Sequence, residues 1–430
     1  MSECERGRLP LALPMEGATR ASENSSSLSL LFTRDFSLLF LAHLFFGLAL
    51  WPYVLFPAHL QELGADPFHM GLFMAGASLS GVMVRPFVGH LMDKNGRQVY
   101  LLIGGMIFLI THLLYLLPNR LGWALFSVRL LHGCATGILM ATFFTLAADL
   151  SPPSRRVSGI ALFGISGQLS GTIGVTLAEK MVSLGGYQYL FILCAILSGI
   201  SLFLSYFIRE PVEEKREISV ERFWKRALHP DLRIPFLTTF LFSLGLTSFM
   251  VFSKPYAQTV MLHQVSYFFL AYTISAISIR LIGGDWPEHY GPKRALAPAL
   301  CSLALGIAMI VLLPSTGGLI VSGIFCGLGH GLVFPILSAI IISRGGEPYR
   351  GGFMTLYTLV FDLGALLGSP LFGLMVNGFG YTALYCTAAT LVFLGVMAFL
   401  CLDPEHPIEN FDPKDKHYQI KATMRGFDAS

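Results

Sequence analysis

The sequence has 430 residues, of which 54% are hydrophobic and only 13% charged, with a formal net charge of +3. A soluble protein carries about a quarter charged residues, so the composition excludes an ordinary soluble fold and indicates an integral membrane protein. The seven cysteines are scattered and form no CxxC pair, so they predict neither a disulfide framework nor a metal site.

Long apolar runs recur along the chain, and about 20 apolar residues are enough for a helix to cross a bilayer. The runs show no alternation of period two, which a membrane-spanning barrel would require. The sequence therefore predicts an all-α membrane protein with twelve transmembrane helices, at roughly 36–58, 68–92, 98–118, 121–148, 156–179, 187–208, 233–257, 265–286, 294–313, 317–343, 351–376 and 381–402.

Lys and Arg are concentrated in one set of connections between these spans. Fifteen follow the even-numbered spans from the second to the tenth, whereas the other loops contain only Arg120 and Lys180. Because basic loops stay in the cytoplasm, both termini are predicted to be cytoplasmic, in a cell (inner) membrane. The basic residues do not collect on one face, so no nucleic-acid partner is expected.

Polar segments divide the chain into five predicted regions. Residues 1–33 and 403–430 are expected to be flexible cytoplasmic tails. A cytoplasmic linker at 209–232 separates an N-terminal six-helix bundle at 34–208 from a C-terminal one at 233–402. The linker is expected to contain a short amphipathic helix along the membrane surface.

A charged, glycine-containing segment occurs twice, as RPFVGHLMDKNGRQ at 85–98 and as RLIGGDWPEHYGPKR at 280–294. The segment GCATG at 133–137 likewise matches GLGHG at 327–331. The offset is 195 residues in the first match and 194 in the second. A near-constant offset indicates an internal duplication, which is typical of secondary transporters.

Three segments of the sequence resemble motifs of the major facilitator superfamily. GHLMDKNGRQ resembles its cytoplasmic loop motif between the second and third helices, and RLLHG at 129–133 resembles its fourth-helix motif. GISGQLSGTIG at 164–174 is similar to the glycine-rich fifth-helix motif of its antiporters, although Gln168 follows Gly167 where a Gly-Pro pair is usual. The resemblance, to the proton-coupled efflux branch, implies two pseudo-symmetric six-helix bundles that work by alternating access.

The two repeated loops are predicted to form a cytoplasmic gate. Their glycines permit a tight turn. Asp93 and Glu288 can accept hydrogen bonds from a helix N-terminus and pair with the deeper Arg85 and Arg280 while the rim is closed. The alternative is that these loops only follow the distribution of basic residues that sets topology. The predicted gate residues are Arg85, Gly89, Asp93, Gly96, Arg97, Arg280, Gly284, Glu288, Gly291 and Arg294.

Ionisable groups inside spans are costly, so each is a candidate for a proton or substrate pathway. Asp362 lies near the middle of the eleventh span, where an unpaired carboxyl would be able to load and release a proton. Its alternative role is a structural hydrogen bond. Gln168 occupies the matching place in the fifth span.

Three basic groups complete the predicted pathway. Arg129 in the fourth span is expected either to bind an anionic group or tune a carboxyl across a cavity, or to snorkel to the surface. His330 in the tenth span is suited to proton transfer or to a packed hydrogen bond. Lys254 lies near the end of the seventh span, where snorkelling is an equal alternative.

The sequence thus predicts a secondary active transporter of a small organic solute, working by proton-coupled efflux as a monomer in a lipid bilayer. The alternatives are proton-coupled uptake of an organic anion and, in a different class, a non-transporting sensor or scaffold. No P-loop, catalytic constellation or metal-ligand cluster is present in the sequence, so no enzymatic activity and no cofactor are expected.

Overall fold

The computed structural model describes residues 33–118, 120–152, 156–210, 220–262, 264–284, 286–346 and 349–403, which contain helices and no strand. Residues 1–32 and 404–430 of the predicted tails and residues 211–219 of the predicted linker lie outside the described residues. Short 3₁₀ segments span Trp51–Leu55 and Pro230–Leu232. The helices are α1 (Arg34–Leu50), α2 (Phe56–Glu62), α3 (Pro67–Asn95), α4 (Arg97–Leu114), α5 (Trp123–Asp149), α6 (Arg156–Tyr206), α7 (Val220–Ala227), α8 (Arg233–Thr259), α9 (Ser266–Gly283), α10 (Trp286–Tyr290), α11 (Pro292–Leu312), α12 (Thr316–Gly345) and α13 (Arg350–Leu402).

Ten continuous helical segments among the described residues are long and apolar enough to cross a membrane. Two of them are twice the usual length, α6 with 51 residues and α13 with 53. Each is broken by a glycine with a positive φ, Gly186 (+70°) in α6 and Gly380 (+79°) in α13. Each break separates two arms of about 20 or more residues, so the structure accommodates the twelve predicted crossings. The prediction of an all-α membrane protein is confirmed.

Local sequence explains where several helices begin. The hydroxyl of Thr33 accepts a hydrogen bond from the backbone N–H of Phe36 at 3.2 Å, which caps α1. The Asp66 carboxylate accepts one from the N–H of His69 at 2.8 Å and caps α3. This hydrogen bond holds the pKa of Asp66, in the connection before α3, below its ordinary value.

Two glycines of the repeated loops have backbone angles that explain why glycine occupies these positions. Gly96 and Gly291 have φ values of +91° and +87°, in the left-handed region that residues with a Cβ rarely adopt. They separate α3 from α4 and α10 from α11. Sharp turns therefore occur at these two positions, whereas Gly89 lies inside α3 and Gly284 has ordinary helical angles.

The two halves of the chain repeat one packing pattern. In the first half α1 packs on α6, α3 on α5, and α4 on both α5 and α6. In the second half α8 packs on α13, α9 on α12, and α11 on both α12 and α13. Equivalent helices have equivalent partners, as an internal duplication requires. The linker helix α7 docks on the second half, where the ring of Phe223 lies 5.3 Å from that of Phe353.

The ends of the bundle differ in charge. One end of the bundle carries most of the loop Lys and Arg residues, and we call this end the basic face. The connections at this end are Gly96, 150–155, 207–232, 284–291 and 346–349. The opposite face carries the connections at 63–66, 115–122, 260–265 and 313–315, together with the breaks in α6 and α13. Alternate connections lie at alternate ends because consecutive spans run in opposite directions.

Close glycine contacts join the two halves towards the opposite face. The halves meet along α3 and α13, and along α6 and α9. They also meet where α2 and the 3₁₀ segment at Trp51–Leu55, called the 3₁₀ segment from here on, contact α8. Gly71 of α3 lies against the backbone of Ser369, and Gly373 of α13 lies against the backbone of Pro67. A Cβ at either glycine would overlap a peptide group of the other half. The absence of these side chains therefore allows α3 and α13 to close this end.

Replacing Gly373 by Ala should open the opposite face, because the backbone of Pro67 cannot rotate away as a side chain would. We expect the labelling of a cysteine placed at the buried Ser369, in a background without native cysteines, to increase several-fold with a membrane-impermeant maleimide. Gly378→Ala is the matched control on the same helix, since nothing lies within 4 Å of its added Cβ. Equal labelling of the two variants would contradict the close-contact role of Gly373.

Candidate functional site

An ion pair across the interface between the halves lies at the centre of the candidate site. The guanidinium of Arg85, on α3, contacts the carboxylate of Asp362, on α13. The side chains are largely buried, with 13% of Arg85 and 24% of Asp362 exposed. Asp362 lies twelve residues into α13, which is about 18 Å from its basic-face end. The pair therefore holds two opposite charges well inside the membrane-spanning region.

This pair corrects one expectation. Asp362 is not unpaired, because an arginine of the other half neutralises its charge. The side chains of Asp93 and Glu288 lie outside the described residues, so their predicted pairing with Arg85 and Arg280 stays a prediction.

A second junction joins the halves near the opposite face. The carboxylate of Glu179, on α6, lies 2.9 Å from the ammonium of Lys254, on α8. It also accepts hydrogen bonds from the backbone N–H groups of Val265 at 2.8 Å and Ser266 at 3.2 Å. These N–H groups form the start of α9, where the helix dipole favours an anion. One carboxylate of the first half thus neutralises a lysine and caps a helix of the second half.

The position of Lys254 decides between its two predicted roles. Its side chain is only 12% exposed and is directed to Glu179, so it does not snorkel to the surface. Sequence reasoning missed Glu179, which resembles an ordinary acid at the end of a span. A cavity of about 570 Å³ lies against the pair, lined in part by Glu62, Tyr187 and Gln258.

Ion pairs at the basic face, one of them made by the predicted gate residue Arg97, connect helices within each half. Arg97 contacts Asp149 at 2.6 Å and Glu210 at 3.3 Å, all within the first half. The Glu210 carboxylate also accepts from the N–H groups of Arg97 and Gln98 at the start of α4. In the second half, Arg344 makes two hydrogen bonds to Asp403, at 2.7 and 2.8 Å.

Two further predicted gate arginines have other surroundings. Arg280 donates from Nε to the carbonyl of Gly331 at 2.9 Å, so its guanidinium joins α9 to α12 within the second half. Arg294 is exposed at the start of α11.

Histidines join helices inside each half. His330 on α12 bonds the hydroxyl of Tyr272 on α9, and its ring stacks on Phe242 at 5.7 Å. In the first half the His43 Nδ1 lies 2.7 Å from the Ser166 hydroxyl, which joins α1 to α6. His330 thus has the packed hydrogen bond that was one of its two alternatives. Gln168, the counterpart of Asp362 in sequence, is half-buried on α6.

Arg129 lies inside the first half and does not snorkel, because only 4% of it is exposed. Its Nη2 contacts the sulfur of Met74 at 3.2 Å, and its guanidinium lies over the rings of Tyr53 and Phe56. The expected carboxyl partner is not found among the described residues. Within those residues, no three His, Cys, Asp or Glu side chains converge into a metal site either.

The family model described as Major Facilitator Superfamily matches residues 37–318 and 235–427 of the chain. The two matches together cover most of the sequence. The chain belongs to the Major Facilitator Superfamily.

Relatives in this superfamily are transporters. Multidrug resistance protein 2 of Bacillus subtilis is 24% identical over 359 residues, covering 79% of this chain and 88% of that protein. Quinolone resistance protein NorA of Staphylococcus aureus is 22% identical over 380 residues, covering 82% of this chain and 92% of NorA. A crystal structure of a variant of the nucleoside transporter NupG superposes with a TM-score of 0.72 at 18% identity, over 84% of this chain and 98% of NupG. The chain is therefore a multi-pass membrane transporter and not an enzyme.

We expect the contact between Glu179 and Lys254 to hold the two halves together at the opposite face. Glu179→Gln removes the charge that pairs with Lys254 and caps α9, at a site where losing one partner of a buried pair costs about 3–5 kcal/mol. We expect stronger maleimide labelling of a cysteine at Ser369 than in the parent. Lys254→Gln should act similarly, and the double variant should add little because both changes break one contact.

Glu62→Gln is the matched control, since Glu62 is an exposed acid that lines the same cavity. Its labelling should equal that of the parent. Strictly additive effects of the two single changes would show that Glu179 and Lys254 act independently.

Proposed function

We propose that this protein exports a small organic compound in exchange for protons, by alternating access, as a monomer with its basic face in the cytoplasm. The observation that carries the proposal is the Arg85–Asp362 ion pair. It joins the two halves that must move, and the Asp362 side chain is still 24% exposed. A carboxylate that is both shared between moving parts and accessible to water is suited to couple movement to protonation.

The coupling follows from the charge of the pair. Arg85 stays protonated at every relevant pH, so the pair is controlled by Asp362. Separating the two charges while both are ionised leaves each without a partner in a low-dielectric region, which is strongly unfavourable. A proton on Asp362 removes the attraction and lets α3 and α13 separate at this depth. Proton binding thereby favours one arrangement of the halves over the other.

The junctions near the opposite face support the assignment of a conformational state. The Gly71 and Gly373 contacts and the Glu179–Lys254 pair hold the halves together at that end. In alternating access, a transporter that is closed at one face admits its substrate from the other. The basic face, which the distribution of Lys and Arg assigns to the cytoplasm, is then the side from which a compound enters.

Export rather than uptake is supported by two observations. The glycine-rich segment at 164–174 is similar to the antiporter motif, and its glycines pack on the 3₁₀ segment, with Trp51 donating to the Gly167 carbonyl at 3.1 Å. Two of the relatives are named as drug-resistance proteins. Uptake of an organic anion would rely on Arg129 and Lys254, and Glu179 already neutralises the latter.

Asp362→Asn should separate binding from coupling, because the amide keeps the shape of the side chain but cannot titrate. We expect the variant to fold and bind its compound, yet to lose at least about tenfold in accumulation driven by a pH difference across proteoliposomes. Counterflow exchange, which needs no net proton movement, should persist. The compound is one selected by its thermal stabilisation of the purified wild type.

Asp403→Asn is the matched control, since it breaks an Arg–Asp pair that lies within one half. It should lower stability but leave gradient-driven transport measurable. The direction of accumulation under an imposed gradient distinguishes export from uptake. Full gradient-driven transport by Asp362→Asn would remove this residue from the coupling mechanism.

A further inference from the structure

A compact polar cluster surrounds Arg129 inside the first half. We call it the Arg129 cluster, and it consists of Tyr53 from the 3₁₀ segment, His112 from α4, and Arg129 and His132 from α5. The His132 ring centroid lies 4.3 Å from that of Tyr53 and 5.7 Å from that of His112. The Arg129 guanidinium carbon lies 5.4 Å from the Tyr53 centroid. Three separate segments thus direct polar groups to one place.

The cluster is buried, and much of its hydrogen-bonding capacity is unused. Exposure is 5% or less for each member. The Nε and Nη1 of Arg129, the Tyr53 hydroxyl, both ring nitrogens of His132 and Nε2 of His112 have no hydrogen-bond partner among the described residues. Buried polar groups in proteins are almost always hydrogen-bonded, so a group of them that faces one region indicates a polar ligand there.

The charge of the cluster is positive. Arginine does not lose its proton in proteins. The ion pairs that join described side chains do not include Arg129. Its contacts with Met74 and with the faces of Tyr53 and Phe56 stabilise the cation but leave the guanidinium without an anionic acceptor among the described residues. An anion beside the guanidinium would satisfy both the charge and the donors.

The histidines restrict which atoms can contact that anion. His112 donates from Nδ1 to the carbonyl of Phe108 at 2.7 Å, because a carbonyl oxygen can only accept. The Nε2 of a neutral His112 is then an acceptor, which suits an N–H group and not an anion. Neither nitrogen of His132 has a partner among the described residues. The donors that do not depend on a histidine tautomer are the Arg129 guanidinium and the hydroxyls of Tyr53 and Tyr115, whose rings lie 5.2 Å apart.

We propose that the Arg129 cluster binds one small monovalent anion, of the size of chloride, between the guanidinium of Arg129 and the hydroxyl of Tyr53. One negative charge matches the one permanent positive charge. Every member is buried among aromatic rings, which favours a small anion over a larger organic one. The 3₁₀ segment that carries Tyr53 contacts α8 of the second half, so an occupied site also stabilises the closed opposite face. The proposal does not depend on the transported compound or its direction.

The test is thermal unfolding of the purified, detergent-solubilised protein at constant sodium and ionic strength, with gluconate replaced stepwise by chloride or bromide. Ligand binding to the folded state raises the melting temperature in a saturable way. We expect both halides to raise it by several degrees and gluconate to have no effect. Equal melting temperatures in chloride and gluconate would overturn the proposal.

Two variants test whether the stabilisation by halides arises at the Arg129 cluster. Tyr53→Phe removes one donor and should raise the halide concentration at half-maximal stabilisation about tenfold, the effect of losing one hydrogen bond to a charged group. Tyr385→Phe is the matched control, because it removes another fully buried hydroxyl without a partner, in the second half. It should leave the halide dependence unchanged, and equal midpoints for the two variants would contradict the assignment.

Arg129→Gln should abolish the halide effect, and a crystal grown in bromide gives a readout that does not depend on this variant folding. Anomalous scattering should place bromide beside the Arg129 guanidinium and the Tyr53 hydroxyl. A bromide peak elsewhere, or stabilisation by organic carboxylates but not by halides, would reject the small-anion site. The second of these outcomes would instead assign Arg129 to the substrate pathway.

Discussion

A bilayer provides no hydrogen-bond partner and no counter-charge, so each charged group inside this protein must be neutralised by the protein itself. The Arg85–Asp362 pair is the clearest consequence, because its two members come from different halves. Neither half can keep its own charge stable when it moves away from the other. The same constraint explains the Glu179–Lys254 pair near the opposite face. Both junctions therefore place a carboxylate and its counter-charge on different halves.

Such pairs contribute more to conformational choice than to overall stability. Burying two charges costs nearly as much as their attraction returns, so the net stabilisation of a formed pair is small. Losing one partner is far more costly. This asymmetry makes an ion pair between the halves sensitive to a proton or a ligand, whereas the apolar packing along α3 and α13 is insensitive to both. Pairs within one half, such as Arg344 with Asp403, hold the basic-face ends of helices together.

The duplicated halves share their helix packing but not their charges. Gly96 and Gly291 adopt the same left-handed backbone conformation at equivalent turns. The charged residues inside the spans, however, differ between equivalent helices of the two halves. Asp362 in α13 corresponds to Gln168 in α6, and Arg129 in α5 corresponds to Gly323 in α12. The two halves thus share a scaffold but carry their titratable groups at different positions.

The sequence by itself determined the class of the fold, because the length and apolarity of each span, the offset between repeats and the glycines at the sharp turns are local properties. The sequence also indicated Asp362, Arg85, Lys254 and Arg129 as unusual, since a charge within a span is visible without any structure. Only the tertiary structure decided their partners. Arg85 faces Asp362 across nearly three hundred residues of sequence, and Glu179 meets both Lys254 and the start of α9. These contacts depend on how deep each side chain lies in the bundle and on which faces of two helices are turned to each other. The local sequence of either helix does not determine these quantities.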